Sequence, residues 1–150
     1  MNVIVDIDGT IADCRHRRHF VNDGNSDWTA FFDAMKDDTP IRSVINIVNS
    51  LYYRNQIILV TGRPESYRSH TIKWLRNVDV SYHYLFMRED DYTNQVGQRG
   101  TPWDFKEEVL INLRRAGVQI NLALEDKQEC VDMWRRNGVV CLQNSMKEMP

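Results

Sequence analysis

Two aspartates near the amino terminus have the spacing of a phosphate-transfer site. Asp6 and Asp8 stand in the sequence Asp-Ile-Asp-Gly-Thr, directly after the short apolar run of residues 3–5. If a strand continued to Asp8, alternation would place both carboxylates on one side and Ile7 on the other. Two neighbouring carboxylates are costly unless a cation lies between them or one keeps its proton. The pair therefore predicts a metal site, an acid–base pair, or both.

Carboxylates in this arrangement can cleave a phosphate ester. One carboxylate can attack phosphorus and form an aspartyl-phosphate, while Mg²⁺ offsets the repulsion between carboxylate and phosphate. A second carboxyl group can protonate the leaving oxygen and later deprotonate water. Lys106, near the predicted start of a helix, could neutralise Asp6 and the transferring group. Glu125 and Asp126 offer oxygen ligands that would complete a magnesium site.

A second polar cluster offers groups that bind phosphate. Thr61 and the Gly62 backbone can donate hydrogen bonds to phosphate oxygens, and the Arg63 guanidinium offers a planar fork. These residues are expected to stop a buried strand over residues 56–60. Arg88 follows a further apolar run, and it either contacts substrate or is an ordinary exposed arginine.

A basic segment after the first strand has no assigned role. It contains Arg15, Arg17 and Arg18. One interpretation is a basic flap that holds a phosphate-rich substrate, and the other is a solvated loop. The aromatic residues Trp28, Phe31 and Phe32 either stack on bases or pack a small cap helix, and we favour the packing role.

The elements that must position these residues can be read from the apolar pattern. Short apolar runs at residues 3–5, 56–60, 82–87, 119–124 and 139–142 alternate with helical stretches. This alternation predicts an α/β fold of the Rossmann-like kind, with a mainly parallel sheet of about five strands flanked by helices. Asp6, Thr61, Arg88 and Glu125 each follow a predicted strand, so we expect them at one edge of the sheet.

The chain is expected to be one domain over residues 1–150. Residues 11–40 are expected to form a small flap or cap insert after the first strand, too short for a large lid. A small lid leaves a site open, which suits a polymer end or a nucleotide.

Composition narrows the classes of function. The net charge is −2 and the isoelectric point is near 6.1, which argues against binding nucleic acid through bulk charge, although a local basic patch is compatible with it. No run approaches the roughly 18 apolar residues of a membrane span, and the amino-terminal residues do not resemble a signal peptide. The three cysteines have no metal or disulfide spacing. We expect a cytoplasmic protein without membrane partners.

The order of these motifs resembles a known superfamily. DIDGT at residues 6–10, VTGR at 60–63, Lys106 in WDFKEE and LED at 124–126 resemble the four motifs of the haloacid dehalogenase superfamily. The stretches KWLRN, FKEEVL and LEDKQECVDMWRRNGVVCLQ resemble the 3′-phosphatase domain of bacteriophage polynucleotide kinase/phosphatase. The first resemblance spans almost the whole chain.

The resemblance implies a role for each matching residue. Asp6 would be the nucleophile and a magnesium ligand, and Asp8 the general acid–base that also gives a backbone carbonyl to the metal. Thr61 and Arg63 would bind the phosphate. Lys106 would orient the phosphate, and Asp126 would ligate Mg²⁺.

Two positions depart from the family pattern. Glu125 has one methylene more than the usual aspartate, so it would act through a water. The family has an acidic residue four positions before the lysine, where this chain has Pro102; Asp104 stands two positions later. No P-loop motif occurs, so we expect no kinase half.

These expectations favour one function over two others. The leading hypothesis is removal of a 3′-phosphate from a DNA or RNA end through an aspartyl-phosphate. The next is hydrolysis of a free nucleotide monophosphate by the same chemistry. The third, from another class, is a catalytically silent module that binds nucleic-acid ends.

Overall fold

Five parallel strands form the central sheet of the protein. The computed structural model describes residues 1–22, 24 and 26–145. The strands of the sheet are β1 (Asn2–Val5), β4 (Gln56–Pro64), β5 (Tyr84–Arg88), β6 (Leu122–Glu125) and β7 (Val140–Gln143), and two short strands, β2 (Ala12–Asp13) and β3 (Thr39–Pro40), pair separately and antiparallel. The order across the sheet is β5-β4-β1-β6-β7, with β1 at the centre.

Helices connect the strands and cover both faces of the sheet. The α-helices are α1 (Trp28–Asp33), α2 (Arg42–Tyr52), α3 (Arg68–Asn77), α4 (Pro102–Arg115) and α5 (Gln128–Arg136), and 3₁₀ turns lie at Arg15–Phe20, Ala34–Asp37 and Glu65–Tyr67. Each crossover between neighbouring parallel strands runs through one of these helices, as parallel pairing requires. The predicted α/β class, with five parallel strands flanked by helices, is confirmed.

The core has two layers because the side chains of β1 alternate. Val3 and Val5 pack into the layer beneath α2 and α3, together with Ile45 and Leu75. Ile4 points to the other layer, which α4 and α5 cover. Both layers are fully buried around β1, so the central strand is held from both faces and its carboxyl end is a rigid support.

The first strand ends before it reaches Asp8. β1 stops at Val5, and the chain turns so that the Ile7 carbonyl accepts hydrogen bonds from the backbone N–H groups of Ile11 and Ala12, both at 2.9 Å. Gly9, at φ +86°, lies within this turn. The condition under which alternation would place both carboxylates on one side is therefore not met, and Asp6 and Asp8 reach different partners.

Strand β4 is longer than the run over residues 56–60 predicted. β4 continues through Thr61 to Pro64 instead of stopping after Val60. Its pairing with β5 shifts register between Thr61 and Pro64. An irregularity of this kind keeps the backbone extended while it re-aims the side chains at the end of the strand.

The segment over residues 11–40 leaves the sheet edge and returns to it. It contains the first two 3₁₀ turns, α1 and the β2–β3 pair, in which Ala12 lies opposite Pro40. None of the helices in the described residues is long and apolar enough to cross a membrane.

Asp104 has a structural role at the start of α4. Its side chain accepts from the Thr101 backbone N–H at 2.9 Å, while the Thr101 hydroxyl accepts from the Asp104 N–H at 3.2 Å. This reciprocal capping box, with Pro102 at the first turn, satisfies N–H groups that the helix leaves unpaired. The cap fixes the start of the helix that carries Lys106.

Candidate active site

Lys106 connects two carboxylates at the carboxyl edge of the sheet. Its ammonium group donates to Asp6 Oδ1 and to Glu125 Oε2, both at 2.7 Å. Asp6 directly follows β1, Glu125 ends β6, and Lys106 lies in the second turn of α4. All three side chains are buried, with exposed fractions of 5%, 1% and 3% for Asp6, Glu125 and Lys106. The Thr10 hydroxyl also donates to Asp6, at 3.4 Å to Oδ2.

The position of Glu125 is fixed by further donors. The indole N–H of Trp134 donates to Oε2 at 3.3 Å. The backbone N–H groups of Asp126 and Lys127 donate to Oε1 at 3.3 and 3.4 Å. Trp134 itself is fully buried. Its polar edge holds the carboxylate in one orientation.

Negative charge exceeds positive charge in this cluster. Oxygen atoms of Asp6, Glu125 and Asp126 lie within 4.8 Å of one another, with the single ammonium of Lys106 beside them. Burial, then the Glu125 charge, raises the pKa of Asp6 well above its usual range. The same two causes raise the pKa of Asp126 to about 6. These carboxylates stay ionised together most readily when a further cation joins them.

Gly9 lets the Asp126 carboxylate lie against the backbone of the turn. A Cβ added at Gly9 would lie 2.0 Å from an Asp126 carboxylate oxygen, so only glycine permits this approach. Three oxygen ligands with unneutralised charge, two of them on buried residues, fit a hard divalent cation such as Mg²⁺. Asp6, Glu125 and Asp126 are the residues that could hold it.

Asp8 belongs to a second charged network. The Arg63 guanidinium donates to Asp8 Oδ1 at 2.7 Å and to Asp38 Oδ2 at 3.0 Å. Arg17 donates to the same two carboxylates, at 2.5 Å to Asp8 and 2.7 Å to Asp38. The His16 ring contacts Asp38 Oδ1 at 2.9 Å. Two arginines and two aspartates therefore neutralise one another at this position.

This second network sets the protonation state of Asp8. Burial pushes the pKa of Asp8 upwards, but the charges of Arg63 and then Arg17 outweigh it and lower the pKa to about 2. Asp8 is thus ionised at neutral pH, whereas the pKa of Asp6 moves in the opposite direction. Two carboxylates with pKa values pushed apart are typical of an acid–base site.

Sequence reasoning did not find Asp38. Its side chain is fully buried between Arg17 and Arg63, although it follows the exposed Asp37 in a segment of polar residues. An acidic residue before Thr39-Pro40 resembles an ordinary turn residue. No periodicity in that stretch could have distinguished the buried aspartate from its exposed neighbour.

The predicted phosphate ligands lie at the site, with partners of their own. The Thr61 hydroxyl accepts from the Arg63 backbone N–H at 3.2 Å. Arg63 is fully buried against Asp8 and Asp38. Gly62, by contrast, lies on the surface of the cavity described next.

A cavity of about 870 Å³ opens above the carboxylates. Asp6, Asp8, Lys106, Glu125 and Asp126 line it, and aromatic side chains form other parts of its surface. The rings of Trp28 and Phe32 stack with their centroids 6.1 Å apart, and the centroids of the Phe32 and Tyr67 rings are 5.4 Å apart. The aromatic residues of α1 therefore pack against one another and against the 3₁₀ turn before α3, while Trp28 remains half exposed.

The three arginines of the basic segment have different environments. Arg17 is fully buried between aspartates, so for this residue the picture of a solvated basic loop is wrong. Arg15 is exposed and pairs with Asp13 at 2.6 Å. Arg18 is exposed and lines the cavity, as does the partly buried Arg88.

The family of the chain follows from a comparison of its sequence with family models. The model of the polynucleotide kinase PNKP phosphatase domain matches residues 1–148. The chain belongs to this family. It is therefore a phosphatase of the haloacid dehalogenase type, and both resemblances seen in its motifs are confirmed.

Solved structures of other proteins share the fold. Pnkp1 in the Pnkp1/Rnl/Hen1 complex is 24% identical with a TM-score of 0.74, and the match covers 99% of this chain and 47% of the other. A Pnkp1/Rnl/Hen1 RNA repair complex gives 23% identity, a TM-score of 0.75, and coverage of 95% and 42%. The phosphatase thus spans less than half the length of these relatives.

A haloacid dehalogenase hydrolase aligns over nearly its full length. YfnB from Bacillus subtilis, described as bound to magnesium, is 11% identical with a TM-score of 0.66, and the match covers 99% of this chain and 91% of the other. At these identities the structures establish a shared fold.

The buried arginine–aspartate network gives a test of stability in this phosphatase. Asp38→Asn keeps the size of the side chain but leaves Arg17 and Arg63 with Asp8 as their one carboxylate. Breaking a buried ion pair from one side costs about 3 kcal/mol or more, so we expect the free energy of unfolding to fall by that amount. Urea denaturation measures it. Asp37→Asn, at the exposed neighbouring position, is the matched control and should change stability by less than about 0.5 kcal/mol. Equal effects of the two variants would contradict the energetic role of the network.

Proposed function

We propose that this phosphatase removes a 3′-phosphate from a nucleic-acid end, using Mg²⁺ and an aspartyl-phosphate on Asp6. The observation that supports this best is the buried Asp6 carboxylate, oriented by Lys106 and lining an open cavity beside two further carboxylates. Membership of the PNKP phosphatase-domain family supports a nucleic-acid end as substrate. The RNA repair complex that contains the similar Pnkp1 supports it further.

The metal would be held by the carboxylate cluster. Asp6 and Asp126 would be direct ligands, Glu125 would act directly or through a water, and Asp8 would contribute its backbone carbonyl. When bound, Mg²⁺ supplies positive charge that offsets repulsion between the carboxylates and the substrate phosphate. YfnB, which shares the fold, is described with magnesium bound.

In the first step, an Asp6 carboxylate oxygen attacks phosphorus while the ester P–O bond breaks. Lys106 donates to Oδ1 and so fixes the carboxylate plane. The leaving oxygen takes a proton from Asp8. Asp8 is ionised in the free protein, but a phosphate dianion placed beside it raises its pKa as any like charge does, so the proton is taken up together with the substrate.

In the second step, Asp8 is the base. It takes a proton from water, whose oxygen attacks phosphorus, and the Asp6–phosphorus bond breaks to release inorganic phosphate. Arg17 and Arg63 then stabilise the ionised form of Asp8 between turnovers. Over one cycle Asp8 takes up a proton with the substrate, gives it to the leaving oxygen, takes another from water and releases that proton as phosphate leaves. The ionised starting state is thereby restored.

A free nucleotide is the second candidate substrate. The cavity, at about 870 Å³, lies in the size range that accommodates small molecules, roughly 300–1,000 Å³. Nucleotide hydrolysis would use the same residues. A silent binding module is disfavoured because nucleophile, lysine and acid–base residue are assembled around one cavity.

Phosphate release distinguishes these candidates. We expect metal-dependent release from a 3′-phosphorylated oligonucleotide to exceed release from 3′- and 5′-mononucleotides, and EDTA to abolish it. Asp6→Asn, which removes the nucleophile, should lower turnover at least about a thousandfold without loss of the folded state. Faster phosphate release from mononucleotides than from the oligonucleotide would support nucleotide hydrolysis instead. Absence of release from every substrate would favour the binding module.

The proton donor can be tested through the leaving group. Asp8→Asn should slow the first turnover of a nucleotide 3′-phosphate by about a hundredfold or more. Para-nitrophenolate leaves without a proton, so the first-turnover burst from para-nitrophenyl phosphate should be retained within about tenfold, and only later turnovers should be slow. Rapid-quench and stopped-flow measurements separate these phases. Equal slowing of both bursts would contradict an acid role for Asp8.

Metal binding should depend on pH. Metal ligands must lose their protons, and the pKa of Asp126 is raised to about 6 while that of Asp6 is also raised. Mg²⁺ affinity should therefore rise with pH through about pH 6, the pKa of Asp126, and below it should fall by up to about tenfold per pH unit for each ligand that takes up a proton. Calorimetric titration of the protein with Mg²⁺ measures this. Asp90→Asn, at an exposed aspartate of the cavity, is the control, and equal affinity at about pH 5 and 7.5 would contradict the assignment.

A further inference from the structure

Arg88 has a position at the cavity that the reaction just described does not use. It is the last residue of β5, at the carboxyl edge of the sheet, and lies opposite Pro64 of β4. Its side chain lines the same cavity as Asp6. Since β4 alone separates β5 from β1, Arg88 lies about 10 Å, or two strand spacings, to the side of Asp6. It is also two residues further along, because Val5 is level with Leu59 and Leu85.

The guanidinium of Arg88 has a buried N–H without a partner. Within the described ranges, Arg88 Nε is shielded from solvent and makes no hydrogen bond. A buried donor left unpaired is costly, which makes such groups rare outside sites that bind something. Asp90 is near enough to influence Arg88, but its carboxylate accepts from the Ser66 N–H at 3.0 Å and forms no ion pair with Arg88.

Arg99 brings a second positive charge to the same place. It is exposed, lies in the loop between β5 and α4, and also lines the cavity. Burial and then the charge of Arg99 lower the pKa of Arg88. Two like charges facing one space repel each other, and an anion between them removes the repulsion and pairs the unsatisfied N–H.

The arginines of the reaction centre differ from this pair. Arg17 and Arg63 are already bonded to Asp8 and Asp38 and are absent from the cavity surface in the described residues. Arg88 and Arg99 therefore have hydrogen-bonding capacity for a ligand that the buried arginines lack. A guanidinium fork matches the oxygens of a phosphate.

We propose that Arg88 and Arg99 form a subsite for a second phosphate of the substrate, beside the phosphate that is cleaved. This inference rests on the proposed function and narrows its substrate class. The second phosphate is either the phosphodiester that precedes a 3′-phosphorylated end or the other monoester of a nucleoside bisphosphate. Such a contact is made equally in the ground state and in the transition state, so it lowers KM and leaves kcat unchanged.

Kinetics on four substrates tests the subsite. The substrates are a 3′-phosphorylated oligonucleotide, a nucleoside 3′,5′-bisphosphate, a nucleoside 3′-monophosphate and para-nitrophenyl phosphate. Arg99→Gln and Arg88→Gln should each raise KM about tenfold for one or both substrates with a second phosphate, and less than about twofold for the other two. A rise in KM for the oligonucleotide would indicate that the subsite binds the preceding phosphodiester. A rise for the bisphosphate would indicate that it binds a second monoester. Arg115→Gln, at an exposed arginine near the far end of α4, is the matched control.

Equal losses on all four substrates, or no loss on any, would overturn the proposal. Because Arg88 is partly buried, its variant needs a melting curve to show that it folds. Arg99 is exposed, so its variant tests the subsite even where the other is unstable.

A binding measurement separates this inference from the proposed reaction. The Asp6→Asn protein should bind a fluorescent 3′-phosphorylated oligonucleotide with an affinity that falls as salt rises. Loss of one phosphate contact should reduce the slope of log Kd against log salt by about 0.7 for a single strand. If the wild-type protein released no phosphate, the proposed reaction would fail, yet a reduced slope in Arg99→Gln would still support the subsite. An unchanged slope in both arginine variants would exclude the phosphodiester as the source of the second phosphate. Together with an unchanged KM for the nucleoside bisphosphate it would overturn the proposal.

Discussion

One ammonium group among three carboxylates is the arrangement on which the rest of this site depends. Lys106 bonds to Asp6 and Glu125, and Asp126 lies beside them, so buried negative charge remains after the lysine is counted. Two strand ends and one capped helix are needed to bring these groups together. Burial and then this excess charge raise the pKa of Asp6 and of Asp126, and the excess charge makes a cation the natural partner of the cluster. The proposed chemistry and the proposed metal binding therefore have the same physical origin.

The second network is balanced, and this balance explains why its arginines are unavailable to substrate. Arg17 and Arg63 each bond to Asp8 and to Asp38 within the protein. Their charge holds the pKa of Asp8 low and so keeps this carboxyl group ionised in the free protein. Cations for the substrate must then come from elsewhere on the cavity surface. Lys106, Arg88 and Arg99 line that surface. In the proposed function Lys106 orients the reacting phosphate, and in the proposed subsite the two arginines bind the next one.

The segment over residues 11–40 contributes to the reaction centre as well as to the cavity wall. Arg17 comes from its first 3₁₀ turn and Asp38 from its end, and together they hold Asp8. Its helix α1 adds Trp28 to the cavity surface. A change in this segment would therefore affect the acid–base residue and the substrate wall together. The sheet edge, by contrast, supplies Asp6, the proposed nucleophile, and the rest of the carboxylate cluster independently of it.

Local pattern was enough to predict the sheet and the edge at which the chemistry lies. The apolar runs before Asp6, Thr61 and Glu125 have strand length, and parallel strands must bring their carboxyl ends to one side. The limits of the strands were predicted less well, because the turn after Ile7 and the irregularity beyond Thr61 depend on backbone contacts with other elements. The partners of Arg17, Arg63 and Asp38 were decided by tertiary structure alone. Any arginine in a polar stretch can pair with any aspartate, and only the folded chain determines which of them lose their water and meet.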